Sequence, residues 1–310
     1  MDLSLHIDTI NADELTTELF RRNYLKKSKP LIIKGFSNIF PAGKKWDFDY
    51  LKKRLGTFQV GIFDNRVKTS TAYVKPDSYM PFSEYLDIIG SNEETPLRIF
   101  LFNIFKEFPE LRKEFPTPVI MKGILGKMGF AFFGGKNTTV RFHYDIDASN
   151  VLMTQILGRK RVILVSPEYN RLIYKLPFSS FSLIDPEQPD LKKFPALRYV
   201  KGYDFILYPG DALFMPSRYW HFNTYLEGGM AVSYRSMAHH TDDLYNGLMN
   251  TTVRLVFDKL MFSLFKEKWT EYKVQVAFDR ADEELRKATY SMREYRVIKP
   301  DKKIIKVEQY

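Results

Sequence analysis

The chain has 310 residues, of which 45% are hydrophobic and 15% aromatic, so a disordered polypeptide is excluded. It contains no cysteine, which excludes disulfide bonds and thiolate metal sites and fits a reducing compartment. The formal net charge of +10 suits either a solubilising surface or an acidic partner, such as RNA or an acidic protein segment. We expect a cytoplasmic protein without membrane contact, because no run approaches the roughly 18 apolar residues of a membrane span and no signal-peptide pattern is present.

Periodic and alternating apolar residues predict helices and strands in the first 120 residues, which flank a core. The predicted helices span 12–27, 46–55, 82–89 and 109–115. The predicted strands span 30–34, 58–63 and 97–102. Lysines and arginines cluster within 21–29, 44–45 and 52–54.

Residues 121–237 are predicted to form the β core. The predicted strands span 138–143, 150–156, 160–165, 212–215, 220–226 and 229–235. Turn signals such as Gly158 and Pro209-Gly210 separate them, and many short strands with such turns indicate an all-β sandwich or barrel. The Pro- and Phe-rich stretch 166–198 either caps a site or packs on the outer face of the barrel.

Residues 238–310 are predicted to be helices followed by a basic tail at 296–310. Helical spacing begins at Asp242, and a second helix covers 271–286. We interpret His239-His240 as the lead-in to the first helix, because adjacent side chains point in different directions. The apolar residues of this segment form a stripe that serves either the chain's own packing or a dimer interface.

His143, Asp145 and His221 form the most informative pattern in the chain. Residues i and i+2 of a strand point to the same side, so a strand through 143–145 allows both side chains to bind one ion while Tyr144 faces away. Two imidazoles and one carboxylate on one face are typical ligands of mononuclear non-haem Fe(II) in oxygenases. Asp147, two residues further along that face, is a rival carboxylate.

Five segments resemble the JmjC and cupin-like 2-oxoglutarate-dependent oxygenases. They are HYD (143–145), QILGRKRVILVSP (155–167), DPEQPDLKKFPAL (185–197), YPGDALFMPSRYWH (208–221) and GGMAVSYRS (228–236). The resemblance covers most of residues 10–240. It is strongest to the small hydroxylases that include the asparaginyl hydroxylase acting on hypoxia-inducible factor, and to bacterial cupin-like proteins.

The resemblance implies a mainly β fold, a double-stranded β-helix (jelly-roll) core with flanking helices and a C-terminal helical segment. It implies Fe(II) as metal, 2-oxoglutarate as cosubstrate and O2 as oxidant. The implied reaction is hydroxylation, first of a protein or peptide side chain, with tRNA or a small molecule as alternatives. It further implies a homodimer through the C-terminal helices.

Carried onto this sequence, the resemblance makes His143, Asp145 and His221 the iron ligands. Lys160 corresponds to the lysine that pairs with the distal carboxylate of 2-oxoglutarate, a task that suits a cationic nitrogen. Adjacent cations at 159–161 are also typical of a solvated hairpin end. Alternation places only one side of this strand towards the barrel interior.

Two hydroxyls that usually support this lysine are missing, because Phe100 and Val140 occupy the corresponding positions. Thr154, Tyr144 or Tyr234 are candidate substitutes as cosubstrate donors, and an extra length between Asp145 and Val151 suggests a β-bulge. We also expect five residues to surround the metal ligands, namely Tyr144, Asp147, Trp220, Tyr234 and Arg235. Arg235 is either a second cosubstrate anchor or a structural cation paired with Asp147 or Glu227.

Two readings from other classes stay open. One is a cupin metalloprotein without 2-oxoglutarate chemistry, which the missing hydroxyls at Phe100 and Val140 favour. The other is a non-catalytic binding module on the same scaffold, which would not need an intact ligand set.

Overall fold

A computed structural model describes residues 1–66, 75–121 and 124–292 of the protein. The basic tail predicted at 296–310 lies outside these ranges. None of the helices found there combines the length and the apolar character that crossing a membrane requires.

Short β-strands dominate the described chain. They are β1 (Asp8–Asn11), β2 (Leu31–Lys34), β3 (Gln59–Asp64), β4 (Ser78–Pro81), β5 (Leu97–Phe102), β6 (Ile124–Gly134), β7 (Thr139–His143), β8 (Asn150–Leu157), β9 (Lys160–Val165), β10 (Gly202–Leu207), β11 (Ala212–Met215), β12 (Trp220–Tyr225) and β13 (Gly229–Ser236).

Helices flank the strands at both ends of the chain. The α-helices are α1 (Thr17–Phe20), α2 (Ala42–Lys45), α3 (Phe48–Leu55), α4 (Phe82–Gly90), α5 (Ile104–Glu107), α6 (Thr241–Met249), α7 (Leu255–Phe265) and α8 (Glu267–Met292). The 3-10 helices are Phe36–Ile39, Pro109–Lys113, Val119–Met121, Pro167–Tyr169 and Pro195–Tyr199. The π-helical turns are Arg21–Leu25 and Asn250–Arg254.

The first helix is shorter than predicted. It begins at Thr17 rather than at residue 12, because Thr16 has an extended backbone and its Oγ1 accepts a hydrogen bond from the Leu19 amide at 3.2 Å. The helix 46–55 was predicted more closely and begins at Phe48, where the Asp47 side chain caps the Tyr50 amide at 2.7 Å. Side-chain caps therefore decide where both helices start.

Two sheets form the body of the protein. The large sheet has the strand order β1-β2-β11-β8-β13-β6-β5-β3-β4, and the small sheet has the order β10-β9-β12-β7. All pairs are antiparallel except β1 with β2. Residues 1–120 contribute β1 to β5 to the large sheet, where β2 pairs with β11 and β5 pairs with β6.

The inner faces of the two sheets share one apolar core. Val162 and Leu164 of the small sheet lie in the same buried cluster as Met153 and Leu213 of the large sheet. Their neighbours Ile163 and Val165 belong to a different cluster, on the outer face of the small sheet. The predicted mainly β jelly-roll core with flanking helices and a C-terminal helical segment is confirmed.

The excursion between β9 and β10 packs mainly on the outer face of the small sheet. Its buried residues Ile173, Tyr174 and Leu197 share a cluster with Val274 and Ala277 of α8. The buried apolar side chains of this stretch therefore pack on the outer face, as one of the two predictions for it required.

Candidate metal centre

Three ligand atoms from His143, Asp145 and His221 lie within 4.8 Å of one another. The two histidines meet because β7 and β12 pair in a register that places His143 directly opposite His221, with the ring centroids 4.2 Å apart. Strand pairing across the small sheet therefore brings together residues that are 78 positions apart in the chain. The structure unites the three predicted ligands.

Asp145 does not lie on the strand that carries His143, and the prediction of a shared strand is wrong. β7 ends at His143, and residues 144–149 form a loop in which the Ala148 amide donates to the Asp145 carbonyl at 2.9 Å. Ala148 has a φ of 50°, so the extra length before β8 is a tight turn and not the predicted β-bulge.

The C-terminal segment supports this loop from outside. The Asn250 side-chain amide donates to the Ile146 carbonyl at 3.1 Å. Helix α6 approaches so closely that a Cβ at Gly247 would lie 2.2 Å from the carbonyl oxygen of Asp147. The position of Asp145 therefore depends on contacts with distant parts of the chain.

Both histidines are neutral and oriented. Nδ1 of His143 lies 2.6 Å from the Arg141 carbonyl, and Nδ1 of His221 lies 3.1 Å from the Tyr219 carbonyl. Because a carbonyl only accepts, each Nδ1 carries the proton and Nε2 keeps its lone pair. Burial, together with the neighbouring His221, lowers the pKa of His143 to about 3, and burial lowers the pKa of His221 as well.

Asp145 is ionised. Burial by itself would raise the pKa of this carboxyl group, but the Arg235 guanidinium and the two histidines lower it to about 2. Two neutral imidazoles and one carboxylate are the protonation states that a divalent cation needs, so a metal would bind without displacing protons from its ligands. The residues present fit mononuclear iron, for which this donor set is typical.

Lys160 lies at the start of β9, on the inner face that Val162 and Leu164 share. It is only 2% exposed, and its Nζ lies 3.9 Å from the Met153 sulfur and 4.3 Å from the Tyr225 ring centroid. Among the described residues, no carboxylate forms an ion pair with it, and burial lowers the pKa of Lys160 to about 7. A buried amine of this kind fits a site for an anion.

The structure does not bring Thr154 and Tyr234 to Lys160. Thr154 follows Met153 in β8 and therefore points to the opposite face of the large sheet. Tyr234 stacks between Phe105 and Phe115 on that outer face, and its hydroxyl donates to the Phe115 carbonyl at 3.0 Å.

Tyr144 and Trp220 face away from the metal ligands. Each is adjacent in sequence to a ligand histidine, and both lie in the cluster on the outer face of the small sheet. Their rings meet edge to face with centroids 5.0 Å apart. The Trp220 indole donates to the Asn170 side-chain oxygen at 2.6 Å. These two rings therefore pack behind the site.

Arg235 contacts the metal-ligand loop. Its side chain donates to Asp145 Oδ1 at 2.8 Å and to both oxygens of Asp147 at 3.1 and 3.2 Å. Of the two acids predicted as partners of a structural Arg235, Asp147 is the one that it contacts. Glu227 pairs with Arg159 instead. Asp147 lies outside the group of three ligands.

Sequence reasoning missed two inner-facing residues, Asn223 and Tyr225. They follow His221 by two and four positions in β12, so the alternation of the strand was the signal that predicts them. Asn223 is 7% exposed, lies directly opposite Val140, and its side-chain oxygen accepts no hydrogen bond from a described residue. Phe100, the second position at which an expected hydroxyl is missing, packs against the Phe132 ring.

The chain matches the model of the cupin-like domain family over residues 16–235. It is 29% identical to lysine-specific demethylase 8 of Danio rerio over 230 residues, which are 70% of this chain and 55% of that protein. It is 26% identical to tRNA wybutosine-synthesizing protein 5 of Gallus gallus over 240 residues, or 72% of this chain and 75% of that protein.

A third relative is JmjC domain-containing protein D of Dictyostelium discoideum, 27% identical over 66% of this chain and 50% of that protein. The chain thus spans about half the length of the demethylases and JmjC proteins that it matches. The family match covers more than two thirds of the chain and includes all three ligand positions. The chain therefore belongs to the JmjC/cupin-like family.

Proposed function

We propose that the protein is an Fe(II)- and 2-oxoglutarate-dependent dioxygenase that hydroxylates a protein side chain. The observation that carries the proposal is the buried Lys160 amine, which has no carboxylate partner among the described residues and shares the inner face of the small sheet with His221. A structural metal site would not need such a cation, whereas a cosubstrate with two carboxylates does.

In this proposal His143, Asp145 and His221 hold the iron and Lys160 holds the distal carboxylate of 2-oxoglutarate. Tyr225 pairs with Lys160 in the ladder and is four residues from His221, roughly 13 Å along the strand. The lysine side chain and a five-carbon dicarboxylate together can span this gap. Iron held there would let O2 oxidise 2-oxoglutarate to succinate and CO2, with one oxygen atom entering succinate and the other a substrate C–H bond.

The two missing hydroxyls have a candidate replacement in Asn223. Its side chain faces inwards opposite Val140 and is only 7% exposed. An amide group can hydrogen-bond a carboxylate through its NH2 group. We therefore propose Asn223 as a polar contact of the cosubstrate in place of Thr154, which points to the other face.

An anaerobic titration with Fe(II) and 2-oxoglutarate tests the proposal. We expect a weak visible charge-transfer band at about 500 nm, which requires both to bind at one site. Succinate formation in air, without substrate, is the second expected result. Metal binding without the band would favour a cupin metalloprotein lacking 2-oxoglutarate chemistry, and failure to bind metal would favour a non-catalytic binding module.

The affinity for 2-oxoglutarate is expected to fall as the pH rises above neutrality. The anion needs the charged form of Lys160. In the protein without cosubstrate the pKa of Lys160 is about 7, so at higher pH the amine must take up a proton before 2-oxoglutarate binds. The dissociation constant should be nearly constant below pH 7 and rise by up to about tenfold per unit above it. Calorimetric titrations between pH 6 and 9 measure it. A flat profile would contradict the assignment of Lys160.

A tRNA nucleoside is the second candidate substrate. The chain spans 75% of the wybutosine-synthesizing protein but only 55% of demethylase 8, and its net charge of +10 suits a polyanion. Succinate release measured with peptide mixtures, with total tRNA and with small-molecule pools separates the candidates. Stimulation by tRNA alone would replace the protein substrate.

We also propose that the protein forms a homodimer through its C-terminal helices. Residues 241–265 form one continuous helical run, and large apolar side chains along it are exposed. These include Leu248 (61% exposed), Leu260 (55%) and Leu264 (63%). Apolar surface of this extent is typical of an interface between chains.

The double substitution Leu260→Glu and Leu264→Glu is expected to convert a dimer to a monomer, because charges would be buried at the interface. Light scattering coupled to gel filtration measures the mass. Tyr79→Glu is the matched control, since Tyr79 is 65% exposed and lies far along the chain on β4. A wild-type monomer would contradict the dimer proposal.

A further inference from the structure

Asp145 is the one metal ligand that no strand holds in place. The two histidines sit in paired strands, whereas Asp145 lies in the loop between β7 and β8. The same loop carries a second carboxylate, Asp147, two residues away. A loop with two acids offers a divalent cation two alternative ligands, so something else must decide which one binds.

Arg235 lies on β13 in the middle of the large sheet, where its backbone pairs with Val151. From there its guanidinium reaches both acids of the loop, and its contacts with them differ. One amino group donates to both oxygens of Asp147 at 3.1 and 3.2 Å, and to the Ser149 hydroxyl at 3.3 Å. The other donates only to Asp145 Oδ1, at 2.8 Å.

The two carboxylates therefore differ in how many of their oxygens accept hydrogen bonds. Both oxygens of Asp147 are engaged, and Oδ1 of Asp147 also accepts from the Ser149 amide at 3.2 Å and from its hydroxyl at 3.0 Å. Oδ2 of Asp145 accepts no hydrogen bond from any residue within the described ranges. The side chains of Arg235 and Asp145 are 14% and 16% exposed, so water screens this contact little.

We propose that Arg235 is a positioning residue that selects Asp145 over Asp147 as the metal's carboxylate ligand and leaves it one free oxygen. This rests on the proposed metal site. The planar fork of a guanidinium can hold two carboxylates at once in fixed directions, which a single ammonium cannot. Because Arg235 pairs with Asp147, that carboxylate does not compete for the metal. Because Arg235 also holds Oδ1 of Asp145, the direction of Oδ2 is fixed.

The proposal is tested by Mn(II) binding to the full chain, measured by calorimetry in a double-mutant cycle of D145N and R235Q. R235Q is expected to weaken binding by about 10- to 100-fold, the usual cost of losing a partner behind a metal ligand. D145N in the wild-type background should cost more. In the R235Q background its cost should shrink by about tenfold or more, because the released Asp147 replaces Asp145. Adding D147N should restore the full cost of D145N in the R235Q background, because Asp147 can then no longer replace Asp145.

Arg161 offers a matched control. It also holds two acids, Asp204 at 2.7 Å and Glu187 at 2.9 Å, but on the outer face of the small sheet. R161Q should leave Mn(II) binding within about twofold. The visible absorption of bound Co(II), which reports coordination geometry, should change in R235Q and not in R161Q.

Two results would overturn the inference: an R235Q protein that binds Mn(II) within about twofold of wild type, or an equal D145N cost in both backgrounds. If circular dichroism shows that R235Q does not fold, R235K enters the same cycle, and additivity there overturns the inference equally. Wild-type protein that bound no Mn(II) would overturn the metal site itself. Wild-type protein that bound Mn(II) but not 2-oxoglutarate would overturn the proposed reaction while leaving the role of Arg235 measurable.

Discussion

His221→Ala is expected to abolish metal binding and, with it, succinate formation. The substitution removes one of the three donors found among the described residues, so the loss of Mn(II) affinity should exceed the ~100-fold that removal of an outer partner costs. His221 is 6% exposed at the end of the inner face, and its ring makes one hydrogen bond, to a backbone carbonyl. Calorimetry with Mn(II) measures the effect, and thermal unfolding shows whether the variant remains folded.

His240→Ala is the control for this experiment. His240 is exposed and occupies the position that starts α6, as its predicted role as a helix lead-in requires. Its removal should leave metal affinity unchanged. A folded His221→Ala protein that bound Mn(II) within about tenfold of wild type would contradict the ligand assignment and, with it, the proposed oxygenase reaction.

Lys160→Met is expected to stabilise the protein and to weaken 2-oxoglutarate binding. Burial lowers the pKa of this amine from 10.5 to about 7, which means that the folded protein holds the charged form at a cost on the order of a few kcal/mol. Methionine removes the charge and keeps the apolar stem. We expect the melting temperature near pH 7 to rise by about 5 °C or more and 2-oxoglutarate affinity to fall about 100-fold.

The pH dependence of stability gives the same prediction a second measurement. Because the pKa of Lys160 is lower in the folded than in the unfolded chain, unfolding takes up a proton between about pH 7 and 10.5. The wild-type free energy of unfolding should therefore gain a contribution that grows as the pH rises through this window. Lys160→Met should lack that contribution.

Lys273→Met is the matched control. Lys273 is also largely buried, but its amine lies 2.8 Å from Asp258, so its removal leaves that carboxylate without its cation and should lower the melting temperature. A Lys160→Met protein that melted at a lower temperature than wild type and still bound 2-oxoglutarate would contradict the role of Lys160 as an anion site.

Much of the fold follows from local patterns in the sequence. β9 and β11 have the bounds that their apolar residues and turn signals predict, Lys160–Val165 and Ala212–Met215. The helices after Asp242 also follow from periodicity. These elements are predictable because neighbouring residues determine them, through strand propensity and through the turn residues that end them.

The three metal ligands were predictable as a set, because the types of residue and their motif neighbourhoods indicate iron. Their meeting was not, since it depends on the register of β7 against β12, which places His143 opposite His221. The sequence also suggests one strand through Asp145. The loop observed there is held by Arg235 and by Asn250, which are 90 and 105 positions away in the chain.

Thr154 and Tyr234 show why the cosubstrate contacts were harder to predict. Residues 150–156 of β8 are all buried, because the large sheet is covered on both faces, so no alternation of polar and apolar residues shows which side faces the metal. Along β12 the ligand His221 defines the inner side, and counting by two from it gives Asn223 and Tyr225. The sequence by itself therefore predicted most of the strands and the three candidate metal ligands, and it left Lys160 either as an anion contact or as part of a solvated hairpin end. Only the packing of two sheets face to face decided which side chains share the site, since burial on both faces erases the local signal.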